Sequence, residues 1–375
     1  MSAPVVVGGG PAGSTLACLL ARAGHEIVVL ERDAAPSDKV CGDFLSIEAQ
    51  RSVTALGLDL PRLGAAPITA LRLVHGDRVA ECSLPFAALG LSRRVLDEAL
   101  LRLAAEDGAT VLRGRRALAL HLERAGVRLA TSHGDMLADT VFLATGKHDL
   151  RGARRAAGAP KSVAFKVYLT LAPGQTDALR GCVEVVLFDG GYAGLLLVEE
   201  ETANLSLIVS ARKLERAGGN WDGLLRALTA ACPHLTQRLG GAAQRLARPL
   251  AISRLPYGFV HAPRRADPPG LFRLGDQAAV IPSFTGDGVA LALHSARSAA
   301  SAWLSGEPAA EHHRRLRGDV AAQMRRASWL HAGCVATSAQ APLVAACATF
   351  PGLMRLAAAW TRIPRTAERR VGFAS

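Results

Sequence analysis

Pro4-Val5-Val6-Val7-Gly8-Gly9-Gly10-Pro11-Ala12-Gly13, followed by an Ala/Leu-rich run to about Ala23 and then by Ile27-Val28-Val29-Leu30-Glu31, is the stretch from which the fold is read. Val5 to Val7 form an apolar strand, Gly8-x-Gly10-x-x-Gly13 turns into a helix, Gly24 stops it, and a second strand ends in Glu31. This is a β-α-β dinucleotide-binding unit. Gly8 permits the tight turn, Gly10 lets the backbone approach a pyrophosphate on the positive helix N-terminus, and Gly13 lets helix and strand pack closely. Glu31, about 20 residues on, is placed to accept hydrogen bonds from an adenosine ribose. A carboxylate there would repel a 2′-phosphate, which disfavours NADP in this pocket.

The chain has 375 residues, enough for two domains or one large one. Half of the residues are hydrophobic and 20% are charged, so widespread disorder is excluded. The net charge is +12, but the arginines are scattered and only 5% of residues are aromatic, which argues against nucleic acid as a partner. Seven cysteines include no C-x-x-C pair, so neither a disulfide framework nor a metal site is expected. No signal-peptide core precedes the first strand, and a cytoplasmic location is the expectation.

Downstream, Leu91 to Gly108 reads as a helix with Ser92 as N-cap and Leu96, Leu100 and Leu103 on one face. Val141-Phe142-Leu143 reads as a strand leading into Ala144-Thr145-Gly146. From about Lys161 to Leu255 the pattern becomes strand-rich, and it returns to helix and glycine at Gly275-Asp276, Pro282 and Gly286-Asp287-Gly288-Val289. The expected fold class is therefore α/β (α+β). A discontinuous Rossmann-like dinucleotide domain (1–65, 88–158, 265–310) carries a substrate-binding antiparallel sheet (66–87, 159–264) and a C-terminal helical region (311–375). Between Arg326 and Arg355 there is no Lys, Arg, Asp or Glu. Pro342, Pro351 and Gln340 interrupt that tail, so core helices under the substrate sheet are expected; peripheral membrane contact, helped by the basic flanks, is the alternative.

These motifs in this order, with Glu31-Arg32 and Arg93-x-x-Leu96-Asp97, resemble the flavoprotein superfamily of para-hydroxybenzoate-hydroxylase-like monooxygenases, flavin-dependent halogenases and geranylgeranyl reductases. The resemblance implies FAD bound extended across a first domain of glutathione-reductase-2 type. It places Gly8, Gly10, Pro11, Ala12, Gly13, Glu31 and Arg32 at the adenosine end and Arg93 near phosphates or ribose. It further implicates Lys39, Gly42, Ala144, Thr145 and Gly146, and puts Gly275 and Asp276 on the ribityl chain. Pro282 is expected near the isoalloxazine, with Gly286, Asp287, Gly288 and Val289 at its N1/O2 edge. Lys39-Val40-Cys41-Gly42-Asp43 is most similar to the geranylgeranyl reductase branch, where the corresponding cysteine lies over the flavin. Cys41, Lys166 and Tyr192 are thus the candidate catalytic residues; Lys166 stands on an otherwise apolar strand, where a buried lysine needs a partner.

The segment Gly190 to Leu196 has no tryptophan, which argues against halogenation. The expected reaction is oxygenation of an apolar small molecule of secondary metabolism through a flavin C4a-hydroperoxide. Reduction of a C=C bond with Cys41 comes second, and non-redox cyclisation third. Without a second G-x-G-x-x-G, electrons are expected from transient NAD(P)H docking or from a separate flavin reductase.

Overall fold

The computed structural model describes residues 3–123, 126–155, 162–265 and 267–372. Val5–Val7 is buried on both faces at the centre of a parallel sheet, as β-branched residues in a covered strand should be. The sheet runs 271–273, 141–143, 5–7, 28–30, 110–112, with Val5 opposite Val28 on one side and Val141 on the other. Strand 271–273 thus returns from far along the chain, which makes the dinucleotide domain discontinuous. Helices Pro11–Arg22, Arg93–Glu106 and Gly288–Leu304 pack on one face around Leu16, Leu20, Leu96, Leu100 and Leu293. Ser92 caps the second of these, its Oγ accepting from Val95 N at 3.3 Å. An antiparallel meander (117–123, 126–131, 134–138) covers the opposite face.

A larger sheet follows, its strands ordered 243–244, 162–170, 203–210, 191–197, 181–188, 66–75, 78–90 and 44–45, with 250–253 also paired to 162–170. Only 181–188 against 66–75 is parallel. Its two faces differ because side chains alternate along a strand. Phe165, Val167, Leu169, Leu205, Leu207 and Val209 pack with Trp221, Leu224 and Leu228 of the helix Trp221–Ala231. The alternate positions point back toward the dinucleotide domain.

The outer end of this sheet is fastened by a buried carboxylate. Glu184 accepts from Arg238 (2.6 and 3.1 Å) and Arg72 (3.2 Å), and lies 2.9 Å from His234 Nε2. Burial opposes its ionisation, but the hydrogen bonds from His234 and Arg238 outweigh it and hold the carboxyl at about 2. With an ordinary value near 4.5 in the open chain, its contribution is whole above about pH 4.5 and is lost as pH falls toward 2. Glu184→Gln is expected to cost about 3 kcal/mol at pH 7, with the gap to the parent protein closing in urea titrations at progressively lower pH.

Helices Ala309–Val335, Thr337–Thr349, Gly352–Trp360 and Arg365–Arg370 finish the chain. Their inner faces bury Cys334, Val344, Cys347 and Met354 against the sheet. Packing under the substrate sheet, expected from the sequence, accounts for these inner faces alone: Trp329, Phe350, Leu353, Leu356 and Trp360 are exposed. Among the described residues no single helix is long and apolar enough to cross a membrane.

Candidate functional site

The site begins at the glycine turn. Gly8 has φ +113°, and a Cβ there would stand 2.4 Å from the Ala144 carbonyl oxygen. At Gly13 a Cβ would stand 1.9 Å from Gly8 O. Glu31 closes the turn from the next strand, its two carboxylate oxygens accepting from Gly9 N (2.8 Å) and Asp33 N (2.9 Å). Pro11 begins the helix, leaving the first-turn amides of Ala12 and Gly13 without a carbonyl one turn back.

From this turn a cavity of about 620 Å³ runs between the two sheets. It is lined by Gly10, Pro11, Ala12, Arg93, Ala144 and Gly146, by Cys41, Gly42, Gly275 and Asp276, and by Gly286, Gly288 and Val289 at the loop and helix start. Arg93 is held by a two-point hydrogen-bonded pair with Asp97 (2.6 and 2.7 Å). Gly9, Glu31, Lys39, Arg94 and Asp97 form a second, smaller cleft beside it. Gly8, Gly13, Arg32, Thr145, Pro282 and Asp287 line neither. Thr145 hydrogen-bonds the His148 carbonyl and Arg32 lies 3.6 Å from Asp33.

The residues fit FAD. The glycine turn offers unpaired amides for a pyrophosphate, Glu31 sits in the adjoining cleft, and a Cβ built at Gly42, Gly146 or Gly288 would meet no protein atom within 4 Å. That leaves open space beside three backbones that line the cavity.

Cys41 lines this cavity on a loop that is pinned from four sides. Lys147 Nζ donates to Val40 O (3.1 Å); Ser206 Oγ (2.8 Å) and Asn204 Nδ2 (3.1 Å) donate to Cys41 O; Leu91 N donates to Asp43 O (3.0 Å). Asp43 has φ +57°, the left-handed region that non-glycine residues seldom occupy without compensation. The compensation lies beneath it. Lys166 Nζ donates to Asp43 Oδ2 (2.6 Å) and to Tyr168 OH (2.7 Å), and Tyr168 OH donates to the same oxygen (2.6 Å). The Lys166 and Asp43 side chains have no exposed surface. Burial, then the Asp43 charge, pushes the Tyr168 phenol far above its ordinary range, so it acts as a donor.

Lys166 therefore sits behind the cavity wall, reaching it only through Asp43, which does line it. Lys166 pairs across the sheet with Ser206, and Tyr168 with Asn204. These four polar side chains form one patch on the sheet face turned toward the Cys41 loop. Asp43, Asn204 and Ser206 are not singled out as site residues by the sequence. Their signal was the two-residue spacing Lys-x-Tyr and Asn-x-Ser in otherwise apolar strands.

Tyr192 also lines the cavity, its hydroxyl 2.8 Å from Ser283 Oγ, which accepts from Tyr257 as well (2.9 Å). Burial raises both phenols, Tyr257 to about 12, so they are neutral hydrogen-bonding groups. At the far loop, Asp287 is completely buried and forms an ion pair with Arg362 (2.6 Å), which also donates to Thr285 O (2.7 Å). Burial, with Glu48 adding and Arg362 opposing, pushes the Asp287 carboxyl up to about 7. The C-terminal helical region is thereby tied to the Gly286–Gly288 turn. His294 pairs with buried Asp319 (3.2 Å) away from the cavity.

Fold and site together define an FAD-binding fold with a dinucleotide-binding domain and a sheet-walled cavity. Residues 2–135 match the family described as FAD binding domain, and the chain carries that domain. Over 122 residues, 31% of this chain, it is 35% identical to a menaquinone reductase of Mycobacterium tuberculosis, a match spanning only 30% of that relative's length. Over 320 residues it is 29% identical to a digeranylgeranylglycerophospholipid reductase of Methanoculleus marisnigri, covering 79% of this chain and 75% of that one. Its fold is shared with the flavin-dependent brominase Bmp2 (TM-score 0.76, 15% identity, 98% of this chain and 97% of that one). The likeness to geranylgeranyl-reductase and halogenase flavoproteins, expected from the motifs, is what these comparisons show.

Proposed function

We propose that this chain is an FAD-dependent reductase that saturates a carbon–carbon double bond in an apolar, polyprenyl-type substrate. The observation that carries this reading is the position of Cys41. It lines the same cavity as the backbones at Gly42, Gly286, Gly288 and Val289 and the aliphatic side chains of Leu71, Leu73, Val183, Val185 and Leu196. The menaquinone and digeranylgeranylglycerophospholipid reductases among the relatives support the same substrate class. This reverses the order of the two reactions expected from sequence, because the pinned Cys41 loop supplies a placed proton donor that oxygenation does not need.

FAD, when bound, supplies the two electrons as a hydride to one alkene carbon. Cys41 Sγ gives a proton to the other carbon, and the resulting thiolate regains its proton from water, so the alkene gains two hydrogens. Asp43, Lys166, Tyr168, Asn204 and Ser206 act as positioning residues that hold Sγ at one height above the cavity floor. The aliphatic wall excludes water and aligns the chain. NAD(P)H, directly or through a partner reductase, restores the electrons.

The test uses FAD-loaded protein reduced anaerobically and mixed with menaquinone or a geranylgeranyl lipid. Mass spectrometry with fragmentation should find two hydrogens added to the polyprenyl chain itself rather than to the quinone ring, formed with flavin reoxidation, and Cys41→Ala should slow this by about 100-fold. A product carrying one added oxygen and formed only in air would replace the reductase with an oxygenase. A product of unchanged mass would make it a cyclase.

A further inference from the structure

The C-terminal helices carry an apolar surface that nothing in the fold covers. Trp329 is 70% exposed and Phe350 and Leu356 are each 64% exposed; Leu353 and Trp360 complete the patch. The other exposed large apolar residues lie elsewhere: Val79 on strand 78–90, Leu304 at the end of helix 288–304, and Leu118, Leu122 and Leu137 on the meander. Four of the five patch residues, Trp329, Leu353, Leu356 and Trp360, also line the cavity, so the patch is the cavity's mouth. Arg326 joins the two tryptophan-bearing helices, its guanidinium 4.9 Å over the Trp360 ring and donating to Trp360 O at 3.1 Å.

Charge along the segment that carries the mouth is predominantly of one sign. Residues 321–375 contain seven arginines (325, 326, 355, 362, 365, 369 and 370) and a single acidic residue, Glu368, which is buried. Asp319, just before them, is buried and occupied by Arg370 and His294. No charged side chain stands between Arg326 and Arg355. Helices 309–335 and 337–349 meet at 104°, so this apolar stretch bends over the domain.

We propose that this face docks onto an anionic phospholipid bilayer. The tryptophans, Phe350 and the two leucines enter the interfacial region while exposed arginines of this segment, Arg325, Arg355, Arg365 and Arg369, contact lipid phosphates, and the cavity mouth opens toward the acyl chains. A second copy of the chain is a poorer occupant, because two such faces would bring the arginines of residues 321–375 together, and that segment has no exposed carboxylate to offset them. The docking surface stands whatever reaction the cavity performs.

The experiment takes FAD-loaded full-length protein and vesicles of phosphatidylcholine alone or with added phosphatidylglycerol, with no substrate present. Co-sedimentation is expected with the anionic vesicles, weakening as salt is raised. Trp329 and Trp360 emission should shift to the blue and be quenched by lipids brominated near the interface. The Phe350→Glu/Arg355→Glu variant, altered at exposed positions outside the cavity wall, should lose about tenfold or more in partitioning. An unchanged thermal midpoint and FAD content would show that its fold persists. Absence of binding to anionic vesicles, no quenching in the parent protein, or undiminished binding by the folded variant would overturn the proposal. So would a dimer in gel filtration whose dissociation on dilution exposes the same tryptophans.

Discussion

Lys166→Met is expected to destabilise the protein by about 3–5 kcal/mol and to remove activity, the largest single effect anticipated outside the glycine turn. The ammonium and the Asp43 carboxylate meet at 2.6 Å with no exposed surface on either side chain. Removing the cation leaves a carboxylate in a site that water does not reach, with only the Tyr168 hydroxyl still donating to it. A buried charge without its partner costs far more than the pair contributes when intact. Asp43 also holds a left-handed backbone conformation, so its loss of anchorage should free the Cys41-Gly42-Asp43 turn. Urea titration of the parent protein, Lys166→Met and the double variant Asp43→Asn/Lys166→Met separates the two consequences. The double variant should regain most of the stability, since no unpaired charge remains, yet stay slow because Cys41 is no longer held. A loss below about 1 kcal/mol in the single variant would mean that solvent reaches the pair.

Gly13→Ala is expected to abolish FAD retention and to destabilise the first domain by roughly 3 kcal/mol, the upper end for an added methylene. The new Cβ would stand 1.9 Å from Gly8 O and 2.9 Å from Val6 Cγ1. The first of these is backbone in the same turn, so it has no rotamer in which to yield. The helix must move away from the central strand, carrying with it the amides that face the pyrophosphate. Flavin absorbance after gel filtration reads the first effect and urea titration the second. Gly174→Ala is the matched control: it sits at the start of a surface helix where an added Cβ meets nothing within 4 Å, and it should leave both unchanged.

These effects fall on opposite sides of what could be read from one dimension. Gly8, Gly10, Gly13 and Glu31 were legible because each is required by its neighbours within a single β-α-β unit. Lys166 was legible as a residue in need of a partner, but its partner lies 123 positions earlier. Tyr192 stood out as an aromatic near a flavin-binding sheet; its bond to Ser283 depends on a loop 91 residues on. The C-terminal tail was legible as uncharged, and its alternation of buried Cys334, Val344, Cys347 and Met354 with exposed Trp329, Phe350 and Leu356 was not, because the helices change direction between them.

By itself, then, the sequence determined the dinucleotide fold and the chemistry that goes with it, since a tight turn, a helix N-terminus and an acceptor carboxylate are requirements of contiguous backbone. Only the tertiary structure decided what stands around that cradle. Neutralising a buried charge and closing a cavity are tasks shared between strands and helices far apart in the chain. Which Asp meets Lys166, which carbonyl Asn204 and Ser206 grip, and which apolar faces are left outward follow from how the two sheets and the last helices pack.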